Sequence, residues 1–160
     1  MTTNTNNTEL LTASSPRIGM PYEWSLGLYG SKFFQELREN GRFTAIKCPK
    51  CGIVRVPPRR ICGPCFQELD ELVYLSDTGT IKAFSTVNYP FIDPATGNQR
   101  PIPYTYGYIN IDGSDNIFSH VINETDVSKI KVGMKVRAVL KDPSEMEGNI
   151  QDIKHFEIIG

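Results

Sequence analysis

The chain has 160 residues and a mass of 18.0 kDa, 39% hydrophobic and 22% charged, with a formal net charge of −1 and a pI near 6.1. That length buries one good core, or a small module beside a second domain, and the composition is ordinary for a globular protein. The near-neutral charge argues against a protein built mainly to coat nucleic acid, and no run of about 18 apolar residues offers a membrane span.

Residues 1–15 are rich in Thr, Asn and Ser and carry little to bury, so they read as a flexible tail. Their opening, MTTNTNNTELLTASS, lacks the basic and apolar blocks of a signal peptide, which predicts a cytoplasmic chain with reduced thiols. Residues 16–41 form the next unit. PRIGMPYEWSLGLYG mixes Pro and Gly with aromatics, among them the only tryptophan, Trp24, and reads as an irregular docking arm. Ser31 is placed to cap a short helix, KFFQELREN, with Gly41 as its C′ residue. Phe33, Phe34 and Leu37 share one side of that helix, to pack either on the rest of the chain or on a partner.

Residues 42–70 contain all four cysteines, within KCPKCGIVRVPPRRICGPC. They form two CxxC pairs, Cys48/Cys51 and Cys62/Cys65, with ten residues between. A disulfide framework suits a reducing compartment poorly, and a thioredoxin-like site uses one CxxC, not two. Four thiolates suit tetrahedral zinc, and the Gly/Pro-rich turns let both thiols of each pair reach one ion. Iron in a rubredoxin-like site would use the same four ligands. A closed shell leaves no position for water or substrate, so the metal is expected to be structural Zn2+, folding a ribbon too short to have a core of its own.

Residues 71–160 change to period-two alternation. TIKAFSTVNY (80–89), YTYGYINID (104–112), NIFSHVIN (116–123), MKVRAVLKD (134–142) and DIKHFEII (152–159) read as strands. With no second long helical pattern, the expectation is a five-stranded OB-fold β-barrel, a sandwich being the runner-up. Gly107, mid-strand, marks a sharp bend. The Pro-rich stretch PFIDPATGNQRPIP (90–103) is long for a strand connection, and its Phe91 and Ile92 favour contact with another surface. The fold class is therefore mainly β: an N-terminal helical arm, a zinc ribbon and a C-terminal barrel.

No nucleophile finds a base in this sequence. The cysteines are committed to metal, and His120 and His155 lie in different strands among apolar neighbours. GxSxG, HExxH and P-loop patterns are absent. Binding is better supported. From Gly41 to Gln67 there is no acidic residue, while Arg42, Lys47, Lys50, Arg55, Arg59 and Arg60 are all cationic. Some of this charge offsets a four-thiolate zinc centre. Arg59 and Arg60, following Pro57-Pro58, also form a candidate clamp for an anion. Tyr104, Tyr106 and Tyr108 share one strand face. They either line the barrel or, if Ile109 and Ile111 point inward, offer an outward stripe for stacked bases or a protein interface.

In this order, FFQELRENGRFTAIKCPKCG, VPPRRICGPC, GTIKAFSTVNY, PYTYGYINIDG and IKVGMKVRAVL resemble a known family over roughly residues 30–159. These are short proteins with a rubredoxin-like zinc ribbon and an OB-fold that accompany thiolases and other acyl-CoA enzymes. The PPR between the cysteine pairs, the aromatic helix and the GTIKAFSTV strand make the match specific. The resemblance implies a non-catalytic subunit in a hetero-oligomer with a thiolase-fold partner. There, Arg59 and Arg60 would face a coenzyme A thioester or the partner. Within the family the chain is most similar to small subunits of benzoylsuccinyl-CoA thiolases of anaerobic toluene breakdown. The alternative is a nucleic-acid-binding ribbon/OB module.

Overall fold

The computed structural model describes residues 9–14, 23–92, 98–99 and 101–160. Most of the expected tail, the arm over 15–22, the Trp24 side chain and the loop residues 93–97 lie outside the described parts. No described helix is long and apolar enough to cross a membrane.

The N-terminal part contributes a short antiparallel ladder, β1 (Thr12–Ser14) with β2 (Glu23–Ser25), followed by helix α1 (Gly27–Asn40). The helix starts well before Ser31, with Leu26 at its N-cap and no side-chain cap. Ser31 is therefore not the cap. It is buried, and its Oγ accepts the Leu11 backbone N–H at 2.9 Å, tying the end of the expected tail to the helix. The other end follows the sequence: Gly41 is left-handed (φ 63°) and donates its N–H to the Leu37 carbonyl. Phe33 and Leu37 are fully buried and Phe34 packs beside them. Phe33 meets Phe43 and Phe118 at ring centroid distances of 6.0 and 6.4 Å. The apolar helix face is thus covered by this chain itself, each such side chain stabilising by about 1.5–3 kcal/mol.

Three strands form the ribbon sheet, in the order β4 (Val54–Arg55), β3 (Phe43–Lys47), β5 (Glu71–Leu75), all antiparallel. The central strand is buried on both faces. Phe43 and Ala45 join the main core, whereas Ile46 joins a smaller cluster with Cys48, Cys62 and Leu69. Double burial removes the polar-out alternation, which is why FTAIK does not announce itself as a strand.

The barrel comprises β6 (Thr78–Val87), β7 (Tyr104–Ile111), β8 (Phe118–Ile122), β9 (Lys135–Leu140) and β10 (Ile153–Ile158). It closes in the order β6-β7-β8-β10-β9 and back to β6, every pair antiparallel except β8 with β10. This is the OB arrangement, and closure excludes the sandwich. Strand β6 carries a register shift between Ile81 and Ala83. Gly107 is needed for room, since a Cβ there would collide with the Ile122 side chain.

Two side chains after β7 fasten the ribbon to the barrel. Asn116 Oδ1 accepts the Val56 N–H at 2.9 Å and its Nδ2 donates to the Val56 carbonyl at 2.7 Å. Asp115 accepts the Val54 N–H at 2.8 Å through Oδ2 and donates its own N–H to the Val54 carbonyl. The amide and carboxylate act as an extra strand along β4, satisfying backbone groups that the sheet leaves over.

Candidate metal centre and the surfaces around it

Each CxxC pair forms a knuckle, and the two knuckles repeat the same hydrogen bonds. In the first, Cys48 N–H donates to the Ile53 carbonyl and Gly52 N–H to the Cys48 carbonyl, at 2.9 and 2.8 Å. In the second, Cys62 N–H donates to the Gln67 carbonyl and Phe66 N–H to the Cys62 carbonyl, at 2.9 and 2.8 Å. The repeated turns bring all four Sγ atoms within 4.8 Å of one another. Cys48–Cys65, Cys51–Cys62 and Cys51–Cys65 are separated by 3.4, 3.6 and 3.8 Å. Zinc–thiolate bonds of about 2.3 Å in a tetrahedron require sulfur–sulfur edges of about 3.8 Å, so the donor set and its spacing fit a four-thiolate zinc site. Cys48 and Cys62 are buried and Cys51 exposed, with Ile46 and Leu69 closing the inner side.

The electrostatics agree. Burial raises the Cys48 thiol, but the backbone N–H groups of Cys51 and Lys50 outweigh it and bring the pKa down to about 6. At Cys62 the Cys65 N–H favours the thiolate, yet burial and the three neighbouring sulfurs push the pKa up to about 12. Four thiolates this close repel one another without a central cation, and a divalent ion removes that penalty.

The cations of the ribbon have different fates. Arg42 bonds Glu36 at 2.8 Å and lies over the Tyr74 ring, 3.7 Å from its centroid. Arg60 is exposed and pairs with Glu68 at 2.9 Å. Pro58 is buried beneath the turn, and Arg59 is exposed with no ion pair among the described residues. Lys47 sits opposite Glu71 in the sheet register, and Lys50 is exposed at the tip of the first knuckle.

The tyrosines of β7 face outward, because Thr105, Ile109 and Ile111 alternate with them and are fully buried. Tyr104 and Tyr106 meet edge to face at 5.7 Å, Phe91 lies 6.4 Å from Tyr104, and Tyr108 is 49% exposed. Phe91 therefore packs on this stripe, whereas Ile92 and Ile102 of that loop are exposed. His120 packs among Phe118 and Phe156 and borders a cleft of about 380 Å³ with Tyr106, Gln151 and Lys154. Burial holds the His120 imidazole below its ordinary pKa. The histidines belong to the barrel and the cysteines to the ribbon.

Sequence reading missed Asp115, Asn116 and Phe66. The first two follow the Asp112-Gly113 turn as ordinary polar loop residues, and only the fold lays them against β4. Phe66 carried a usable signal: aligning CPKCG with CGPCF puts a phenylalanine where the first knuckle has Gly52.

Residues 36–70 match the domain family described as ChsH2, rubredoxin-like zinc ribbon domain, and residues 72–141 that described as ChsH2, C-terminal OB-fold domain. The DUF35 domain-containing scaffold protein of Methanocaldococcus jannaschii is 24% identical over 109 residues, 68% of this chain and 74% of that protein. Its counterpart in Methanothermobacter thermautotrophicus is 27% identical over 115 residues, 70% of this chain and 81% of that protein. DNA topoisomerase 3-beta of Arabidopsis thaliana is 30% identical over 115 residues, 62% of this chain, which spans only 13% of that protein. Among solved structures, an Ltp2-ChsH2(DUF35) aldolase aligns with a TM-score of 0.56 at 20% identity, covering 79% of this chain and 92% of that one. A DUF35-family protein from Sulfolobus solfataricus gives 0.58 at 22% identity, covering 82% and 84%. At these identities the structural likeness speaks to the fold.

Proposed function

The chain belongs to the family in which a ChsH2-type zinc ribbon precedes a ChsH2-type OB-fold, and we propose that it is the non-catalytic subunit of a thiolase-type acyl-CoA enzyme. The observation that carries this reading is the consecutive pair of ChsH2-type domains. The fold of an Ltp2-ChsH2(DUF35) aldolase and the relatives named scaffold proteins support it. In this role the zinc is structural, and the reacting cysteine and histidines come from the thiolase-fold partner. Arg59 and Arg60 face the coenzyme A thioester or the partner that holds it. Arg59 is the freer of the two, and the exposed Arg60–Glu68 pair is weak enough to exchange for a phosphate.

Purification of the untagged protein from its native host, with mass spectrometry of what travels with it, tests this. A stoichiometric thiolase-fold protein is expected, with thiolytic activity in the complex and none in either half. Benzoylsuccinyl-CoA is the first thioester to assay, given the resemblance to small subunits of that thiolase. Turnover by the chain alone, or purification with no such partner, refutes the proposal.

A second reading, a nucleic-acid module, draws on the outward tyrosines of an OB-fold and on the similarity to a segment of DNA topoisomerase 3-beta. It predicts oligonucleotide binding whose affinity falls steeply with salt.

A further inference from the structure

The two knuckles differ at one position that matters. Gly52 and Phe66 occupy equivalent places, each donating its N–H to the first cysteine carbonyl of its knuckle, and both are left-handed, at φ 75° and 52°. Glycine adopts that conformation freely, whereas an L-residue with a Cβ is strained there. Phe66 is the one non-glycine residue with positive φ among the described residues. Its ring gives the fold nothing in return: it is 82% exposed and has no aromatic partner among the described residues. The chain therefore bears backbone strain and a wetted aromatic at the same residue, where glycine would relieve both.

Strain of this kind persists where the side chain has work to do. Ile61, on the same hairpin, is also exposed. Lys50, at the tip of the neighbouring knuckle, is exposed and has no ion pair among the described residues. The first acid beyond Phe66, Glu68, is already held by Arg60. Two copies meeting through this tip would bring like charges together, so the surface suits an apolar pocket edged with carboxylates on a different protein.

We propose that Phe66 is the anchor of the zinc ribbon, its ring inserting into such a pocket on the thiolase-fold subunit. The inference rests on the accessory-subunit reading and names the contact within it. Burying an aromatic ring in a pocket supplies hot-spot affinity, and the rigid metal-bound knuckle holds the ring ready without further ordering.

The test uses the full-length, zinc-loaded chain and the thiolase-fold subunit that co-purifies with it. Phe66→Gly and Phe66→Asn both suit the left-handed backbone. Each is expected to keep full zinc and to keep or raise Tm, by up to about 4 °C. Each should weaken binding to the thiolase-fold subunit by about tenfold or more in calorimetric titration. Lys50→Glu is expected to slow association. Wild-type affinity in both Phe66 variants overturns the anchor while leaving the accessory-subunit reading standing. A Tm lowered in both overturns the strain argument, since the ring would then support the fold. An unaltered association rate for Lys50→Glu removes the carboxylate edge. A wild-type chain that dimerises through Phe66, or that binds no thiolase-fold protein at all, sinks the proposal; the latter also sinks the reading beneath it.

Discussion

Replacing Asn116 with alanine should uncouple the ribbon from the barrel. The Asn116 amide satisfies both backbone groups of Val56, at 2.9 and 2.7 Å, and Val56 is fully buried. A donor or acceptor left unsatisfied costs about 1–3 kcal/mol when buried. Both contacts are part-buried, so water recovers some of that, and Asn116→Ala should cost about 2–4 kcal/mol. Asn116→Asp separates the two bonds. It keeps the acceptor for the Val56 N–H and sets a carboxylate against the Val56 carbonyl, so it should be at least as damaging despite its shape. Chemical denaturation of zinc-saturated protein, followed both by far-UV dichroism and by zinc release to a chromogenic chelator, reads the effect. Wild type should give coincident transitions, and Asn116→Ala should release zinc at lower denaturant than it loses the barrel. A change below about 0.5 kcal/mol with coincident probes, a typical surface-mutation result, would show that the seam does not couple the two parts.

Metal analysis should give about one zinc per chain, lost in Cys62→Ser; iron with a thiolate visible spectrum in native protein would displace zinc. Reversing Arg59 and Arg60 to glutamate should raise the complex's KM for the thioester with little change in kcat and full zinc content. An intact, zinc-replete complex with unchanged KM removes the coenzyme A role, whereas a dissociated complex assigns the pair to the interface. His120 is held below its ordinary pKa by burial, so the unfolded chain takes up a proton first as pH falls through about 6.5. Wild type should therefore lose stability from there downward, and His120→Asn should be flatter just below about pH 6.5; parallel curves would refute the assignment. Asp152 is fully buried and accepts the N–H groups of Glu147, Gly148 and Asn149 at 2.9, 2.7 and 3.1 Å. Asp152→Asn turns an amide donor toward that nest and should cost about 3 kcal/mol in denaturant unfolding; a neutral result would show that the turn rearranges freely.

The metal centre was legible in the sequence because CxxC spacing is a local property: two thiols three residues apart reach one ion wherever the chain runs. The barrel strands β6, β7, β8, β9 and β10 were legible because each buries one face, which leaves alternation in the sequence, as Thr105, Gly107, Ile109 and Ile111 show between outward tyrosines. The doubly buried β3 left none. Ser31 looked like a cap because the local pattern allows it, but Leu11, twenty residues away, claims its hydroxyl. The seam at Asn116 pairs residues 60 positions apart. The strain at Phe66 lies in the hydrogen-bonded turn of its knuckle, where Phe66 takes φ 52° as its N–H reaches the Cys62 carbonyl. Local chemistry decided which residues bind metal and which form strands. Tertiary packing decided where the ribbon sits and which polar groups find partners, because those depend on distant backbone brought close by burial of a shared core.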